Sequence, residues 1–293
     1  MFDCSFDCSP KPVMQSAGFE AALRACGTAP LRLDCGTLML RRKVGGIPVA
    51  MLPRAALNDP TATLVQARDV TRAPLLISPL KPTDLSVQGA LPLVSPARQA
   101  AIRLHPDQDT MRAALHGKWR NRLRHGENSD LRVRHRALPP RSDHWLLRAD
   151  TAQQRTRGYR AWPVPLTLSF AATTPQAAML FEAFQGADPV AALLVLRHGD
   201  TATYHIGHTT DTGRTASAHN LLMWSAMCWC AQHGHHWLDL GLINTESEPG
   251  LARFKLGTGA DVKPLGGTWL HWPPLRPLRR LACLDRKRMA PPP

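Results

Sequence analysis

No apolar run in this sequence is long enough to cross a bilayer. The longest, Asn220–Ala231 (NLLMWSAMCWCA), falls far short of the roughly 20 residues a spanning helix needs, so it is expected inside a core. An apolar secretory leader is also missing, and the seven cysteines are an odd number. Together these absences argue against a disulfide framework and for a reducing, cytoplasmic compartment. Zinc-site spacing is lacking as well: neither Cys4 with Cys8, in the near-repeat FDCSFDCS, nor Cys228 with Cys230 has a second pair at a matching interval. The N-terminal third holds no glycine-rich phosphate loop. Acidic residues are few, 22 Asp and Glu against 36 Lys and Arg.

What is present follows from that imbalance. The net charge of +14 and pI of about 10.3 call for an anionic partner, whether nucleic acid, a phosphorylated substrate or an acidic membrane surface. A chain of 293 residues that is 44% hydrophobic can build one large domain or two smaller ones.

The N-terminal third is rich in proline and small apolar residues. A short helix is expected over Gly18–Cys26, strands over Leu38–Arg42 and Pro48–Leu52 around a VGG turn, and proline-stopped strand ends in LLISPL and LPLVSP. The character changes at HPDQDTMRAALHGKWRNRLRHGE. Asp109 or Thr110 can cap a helix there, and Met111, Leu115, Trp119 and Leu123 recur every four residues as an apolar stripe. Lys118 with Arg122, and Arg120 with Arg124, make two cationic rows beside it, with almost no acidic compensation before Glu127. Four such cations repel one another unless something anionic lies against them.

After a linker near LPPRSD the pattern alternates. HWLLRADTAQQRTRGY reads as a helix, QAAMLFEAF as strand or helix, and PVAALLVLRHGDTATYHIGHT as a hairpin turning at HGD. GRTASAHNLLMWSAMCWCAQHG reads as one long buried helix closed by Gly234, followed by a strand HWLDLGLI, a short helix over Pro249–Leu256 and a last strand over Val262–Leu270. This order predicts an α/β or α+β sheet flanked by helices.

The order, together with KWRNRLRHGE, YHIGHTTDTGRTASAHNLLMWSAMCWCAQHG, WLDLG and the RFK before LGTGA, resembles the FemAB-like branch of the GNAT acyltransferase superfamily, which includes BioF2-like and CelD-like domains. The resemblance spans Arg112 to Leu256, about half the chain. It implies a GNAT-like mixed sheet, with two tandem halves of which residues 1–108 form a degenerate first half, 109–272 the acyltransferase domain and 273–293 a basic, proline-rich tail. It also implies transfer of an activated acyl or aminoacyl group to an amine-bearing acceptor, a reaction in which the protein must place two substrates and stabilise an oxyanion.

The family's aromatic–lysine pair falls on Phe254 and Lys255, which gives Lys255 the role of neutralising the oxyanion or a substrate phosphate, with Arg253 beside it. Asp239, in a strand next to a glycine, is a candidate acceptor for the amine's proton. Lys118 and Arg122 are candidates for holding substrate phosphate, Arg214 for touching an anion at the mouth of the long helix, and Tyr204 for stacking on a base or sugar. The family's CoA-using members cradle pyrophosphate on a turn with two glycines; here TTDTGRTASAHN has only Gly213. The donor is therefore either aminoacyl-tRNA or an acyl-CoA, with the missing glycine weighing against CoA. The competing reading is a catalytically inert, basic GNAT-like module that binds nucleic acid. His205, His208, His219, His233, His235 and His236 are read as structural or turn residues.

Overall fold

The structure, a computed structural model, describes residues 9–174 and 176–275. Cys4, Cys8 and nearly all of the basic tail lie outside them. The described chain forms two compact units: Phe19–Gln99 with residues 262–275, and residues 9–18 with Ala100–Asp261.

In chain order the elements are α1 (Ala17–Ala25), β1 (Leu31–Arg32), β2 (Leu38–Val44), β3 (Ile47–Ala55), α2 (Pro60–Val70), β4 (Leu75–Pro79) and β5 (Leu91–Val94). There follow β6 (Arg98–Arg103), α3 (Gln108–Ala114), α4 (Gly117–Glu127), β7 (Arg132–Ala137), α5 (Trp145–Arg157), α6 (Val164–Thr173), β8 (Ala178–Gln185), β9 (Asp188–His198) and β10 (Thr201–Thr209). Then come α7 (Asp211–Thr215), α8 (Ala218–Gln232), β11 (Trp237–Ile243), α9 (Pro249–Gly257), β12 (Asp261–Pro264) and β13 (Thr268–His271).

The first unit carries a six-stranded mixed sheet in the order β1-β2-β3-β4-β13-β5, with β3 and β4 parallel. Its core gathers Met39, Leu52, Leu75, Ile77 and Trp269, all buried, under Leu64 and Ala67 of α2. The second sheet has seven strands in the order β12-β6-β11-β10-β9-β8-β7. Strands β7 to β10 are antiparallel neighbours, whereas β10 and β11 run parallel. Residues along β8 and β9 are buried almost without alternation, which identifies strands covered on both faces. Helix α8 packs on β8 and β9, and α5 on β10. The expected class, a mixed sheet flanked by helices in a two-sheet, tandem-like arrangement, is what the chain adopts.

Several local expectations need correcting. The basic helix is two helices. Asp107, not Asp109 or Thr110, caps α3 by accepting from the Asp109 and Thr110 N–H groups. Leu115 then leaves the helical region, and the His116 N–H goes to the Gly257 carbonyl at 3.0 Å. The stripe survives the break, since Met111, Leu115, Trp119 and Leu123 are all buried. The long helix is likewise divided. Thr210 caps the short α7 through its hydroxyl, and Ser217, left-handed at φ 55°, separates α7 from α8. The last strand is also two: Gly267 turns at φ 71° between β12 and β13, which belong to different sheets. The ambiguous QAAMLFEAF is strand β8, and α2, α6, β6 and β7 were not anticipated. Among the described residues no helix is long and apolar enough to cross a membrane.

Candidate active site

Parallel pairing of β10 with β11 covers Thr201, Ala202 and Thr203 opposite Trp237, Leu238 and Asp239. Both strands run on, to Thr209 and Ile243, without pairing to each other. Past Asp239 the strands part, and backbone groups on the facing edges must find other partners. A register shift between Tyr204 and Ile206 against β9 falls at the same level and re-aims the side chains of β10.

Lys255 takes a carbonyl of β11 beyond the paired stretch. It lies on α9, is only 7% exposed, and donates from Nζ to the Leu242 carbonyl at 2.8 Å. Burial lowers its pKa, an effect opposed by the carboxylates of Asp239 and Glu248. Asp239 is buried too, and its Oδ1 accepts from the Gly241 N–H at 2.7 Å. Gly241 is left-handed at φ 75°, a conformation that a side chain would strain.

The neighbouring Phe254 ring bridges two elements, 6.0 Å from the Trp119 ring on α4 and 5.1 Å from His219 on α8. His219 in turn meets β10, with its Nε2 lying 3.1 Å from the Tyr204 hydroxyl. Gly207 makes this pair possible. A Cβ there would come 1.9 Å from the Tyr204 oxygen and 2.8 Å from His219 Cε1. Burial pushes the His219 pKa down to about 4, helped by His208, and pushes that of Tyr204 up. At neutral pH the imidazole is uncharged, with one nitrogen donating and the other accepting. Its Nδ1 is buried without a partner among the described residues, as are Trp119 Nε1 and Asn220 Nδ2 close by in the chain or the packing.

The LGTG glycines serve close approach. A Cβ on Gly257 would lie 2.6 Å from Trp119 Cδ1, and one on Gly259, at φ 78°, 2.5 Å from the Ala114 carbonyl oxygen. They let α9 sit against the α3–α4 segment, and so carry Lys255 to its place.

Of the residues singled out from sequence, Lys255, Asp239, Phe254 and, through His219, Tyr204 are brought together here. Others stand apart. Lys118 and Arg122 are exposed on α4 without an ion pair among the described residues. Arg253 is exposed and returns its Nε to the Pro249 carbonyl of its own helix. Arg214 pairs with Asp211 on the exposed face of α7 and donates to the Thr209 carbonyl. His219 and Trp119 were seen in the sequence only as a helix-start and a core residue. The available signal was Gly207, a lone glycine inside a strand. Three further histidines have neighbours elsewhere: His205 bonds Thr167, His233 stacks on Trp229, and His235 accepts from Arg197. No group of side chains suited to a metal ion occurs among the described residues.

The acetyltransferase (GNAT) domain family matches residues 110–260. No curated protein matches the chain in sequence. Among solved structures, FemX superposes with a TM-score of 0.73 at 13% identity, covering 92% of this chain and 94% of FemX. The C-terminal domain of a candidate lysylphosphatidylglycerol synthetase from Agrobacterium fabrum gives 0.57 at 13%, with 92% of each chain covered. L-PGS from Bacillus licheniformis gives 0.55 at 12%, covering 96% of this chain and 97% of that one. At such identities these likenesses speak to fold alone, while the family match covers more than half the sequence. The chain belongs to the acetyltransferase (GNAT) domain family, and its fold is that of the FemAB-like branch.

Proposed function

We propose that this protein is a FemAB-like N-acyltransferase or aminoacyltransferase working at the parting of β10 and β11. The observation that carries the reading is Lys255, a buried ammonium placed where two parallel strands separate, with one carbonyl as its partner among the described residues. In the reaction, an amine nitrogen attacks the donor's carbonyl carbon and the carbonyl oxygen gains negative charge. Collapse then expels the donor's leaving group, and the amine loses a proton. A fixed cation in a site of low dielectric lowers the energy of that oxyanion, or neutralises a donor phosphate. Asp239, buried next to it, is the acceptor we assign to the amine's proton, directly or through water. In this reading residues 1–108, most of which fall in the unit built on Phe19–Gln99, are the degenerate first half.

For the donor we favour aminoacyl-tRNA over acyl-CoA. A pyrophosphate cradle needs free backbone N–H groups, and around α7 several are committed. Gly213 N–H goes to the Thr210 hydroxyl at 3.1 Å, and the Arg214 and Ala216 N–H groups to carbonyls of the same turn. The backbone at Gly213 is closed off besides, since a Cβ there would lie 2.3 Å from the Val190 carbonyl oxygen. Lys118 and Arg122 of α4, exposed and without an ion pair among the described residues, suit phosphates of a nucleic acid. The same two cations favour the second reading, an inert module that only binds nucleic acid. Calorimetry with acetyl-CoA and a transfer assay with charged tRNA separate the possibilities. Weak acetyl-CoA binding with transfer from charged tRNA is expected. Tight, stoichiometric acetyl-CoA binding would return the chain to CoA chemistry, and tRNA binding without transfer to any amine would favour the inert module.

A further inference from the structure

The hairpin of β2 and β3 reaches beyond its own sheet. Leu38, Met39 and Leu40 are buried, but every residue from Arg41 to Pro48 is exposed. The projecting part is a two-stranded ribbon with Arg41 opposite Ala50, Arg42 opposite Val49, Lys43 opposite Pro48 and Val44 opposite Ile47. Gly45 and Gly46 close it, both at positive φ, 57° and 82°. That is the pair of conformations a tight two-residue hairpin turn demands.

Alternation sorts the side chains. Val44, Ile47 and Val49 share one face with Arg42, while Arg41 and Lys43 share the other. Val44 is 61% exposed and Ile47 59%, the two of them side by side at the tip. Aliphatic side chains held out in water at the end of a ribbon are unfavourable unless something apolar receives them. Behind them stand three cations, and the sequence has no acidic residue between Asp34 and Asp59. The receiver must therefore be apolar beyond an anionic boundary. A nucleic acid supplies the anion but no hydrocarbon for the tip.

We propose that this hairpin is an attachment element for an anionic lipid surface. Val44 and Ile47 enter the boundary between headgroups and acyl chains, and Arg41, Arg42 and Lys43 lie against the lipid phosphates. Attachment of this kind would hold the protein on a membrane without any spanning helix.

The test is co-sedimentation of the full chain with vesicles of phosphatidylcholine containing about a third phosphatidylglycerol, and with pure phosphatidylcholine. Binding is expected to the anionic vesicles and not to the neutral ones. The variant Val44→Ser/Ile47→Ser should bind about tenfold more weakly or worse, and Arg41→Gln/Arg42→Gln/Lys43→Gln on the order of a hundredfold more weakly. Both should melt like the parent, because the altered side chains are exposed. If the serine variant binds anionic vesicles as the parent does, the tip inserts nowhere and the proposal is wrong, whatever other basic surface carries the binding. Failure of the parent to bind, or equal binding to neutral vesicles, also overturns it. So does a serine variant that keeps its vesicle affinity while losing affinity for a duplex RNA oligonucleotide, which would make the ribbon a nucleic-acid arm.

Discussion

Glu182 and Lys255 are both charged side chains buried in the same unit, and their surroundings treat them differently. Glu182, 1% exposed on β8, accepts from Arg134 at 2.9 Å, Arg136 at 3.2 Å and the Trp145 indole at 3.1 Å, with His144 Nε2 at 3.5 Å. Burial raises its pKa, but the indole and the two arginines outweigh that and leave it lowered. Lys255 has three N–H groups and a single carbonyl partner among the described residues; Trp119 and His219, which flank the neighbouring Phe254 ring, and Asn220, next to His219 in the chain, each bury a polar atom with no partner among the described residues. A saturated charge fixes structure, since nothing is left over to bind. Under-satisfied buried polar atoms cost stability, and proteins keep them where a ligand completes them.

The largest effect expected from this contrast is on catalysis. Lys255→Met keeps the apolar stem and removes the charge, so turnover should fall about 100- to 1,000-fold, as on losing an oxyanion donor. Melting should hold or improve, because a desolvated ammonium is no longer buried. A variant with parental turnover would take Lys255 out of the chemistry and leave the nucleic-acid module as the better reading.

Glu182→Gln should show the converse. The arginines facing it are half exposed and can turn to water, which limits the loss, yet several charge-assisted hydrogen bonds go. A cost of about 2–3 kcal/mol in denaturant unfolding is expected, with turnover per folded molecule unchanged. An unaltered unfolding curve together with lost activity would make Glu182 part of the chemistry and end the contrast.

Acid should loosen this unit as well. His198 and His235 are buried, and both are pushed down to about 4, by burial first and then by each other's charge for His198 and by that of Arg197 for His235. The unfolded chain takes up these protons near the ordinary histidine value of about 6.5, before the folded protein does. Their contribution is therefore complete above about pH 6.5 and is lost as pH falls towards 4, with a slope of up to about 1.4 kcal/mol per pH unit for each histidine. Unfolding followed across that range tests it, and a flat profile would mean that neither ring is buried neutral.

Gly207→Ala probes the Tyr204–His219 pair. The new methyl must displace the tyrosine hydroxyl, at a cost of about 1–3 kcal/mol, and should separate the two side chains. Partial recovery is expected in Gly207→Ala/Tyr204→Phe, where the oxygen at 1.9 Å is gone but Tyr204 Cζ at 2.7 Å and His219 Cε1 at 2.8 Å still crowd the methyl; no recovery would mean that the oxygen is not the main obstacle.

Much of the fold was legible because hydrophobic period and turn chemistry are local. The β9–β10 hairpin, β11 and α9 could be read from apolar runs and glycine positions alone. The helix breaks could not be. Nothing in HGKW says that the His116 N–H will be taken by the Gly257 carbonyl, a partner far away in the chain. Lys255 was found through a motif, but its burial and its bond to Leu242 depend on two strands parting, which is a tertiary event. His219 looked like a helix-start polar residue, and only the packing of Tyr204 into the space above Gly207 gives it another character. Arg214 and Arg253 show the opposite difficulty. A basic residue is visible in sequence, and the carboxylate or carbonyl that occupies it often is not.

Arg214 is the test of that last point, and the smallest effect expected. Sequence placed it at the mouth of the long helix, free to meet an anion. In the fold it sits on α7, ahead of the Ser217 break, with one arm on Asp211 and another on the Thr209 carbonyl. Both members of the pair are largely exposed, so the pair itself contributes little, on the order of 0–1 kcal/mol. Arg214→Gln should therefore leave the melting curve within error and change turnover by less than about threefold, with a weaker dependence of donor affinity on salt as the one trace of a lost charge. The comparison sharpens if Asp211→Asn is measured beside it. Freeing the guanidinium should then strengthen binding of an anionic donor slightly, whereas an arginine with no part in the site leaves affinity where it was. A turnover loss near that of Lys255→Met, with normal melting, would mean that Arg214 abandons Asp211 when substrate arrives, and the active site would have to be extended from α9 across to α7.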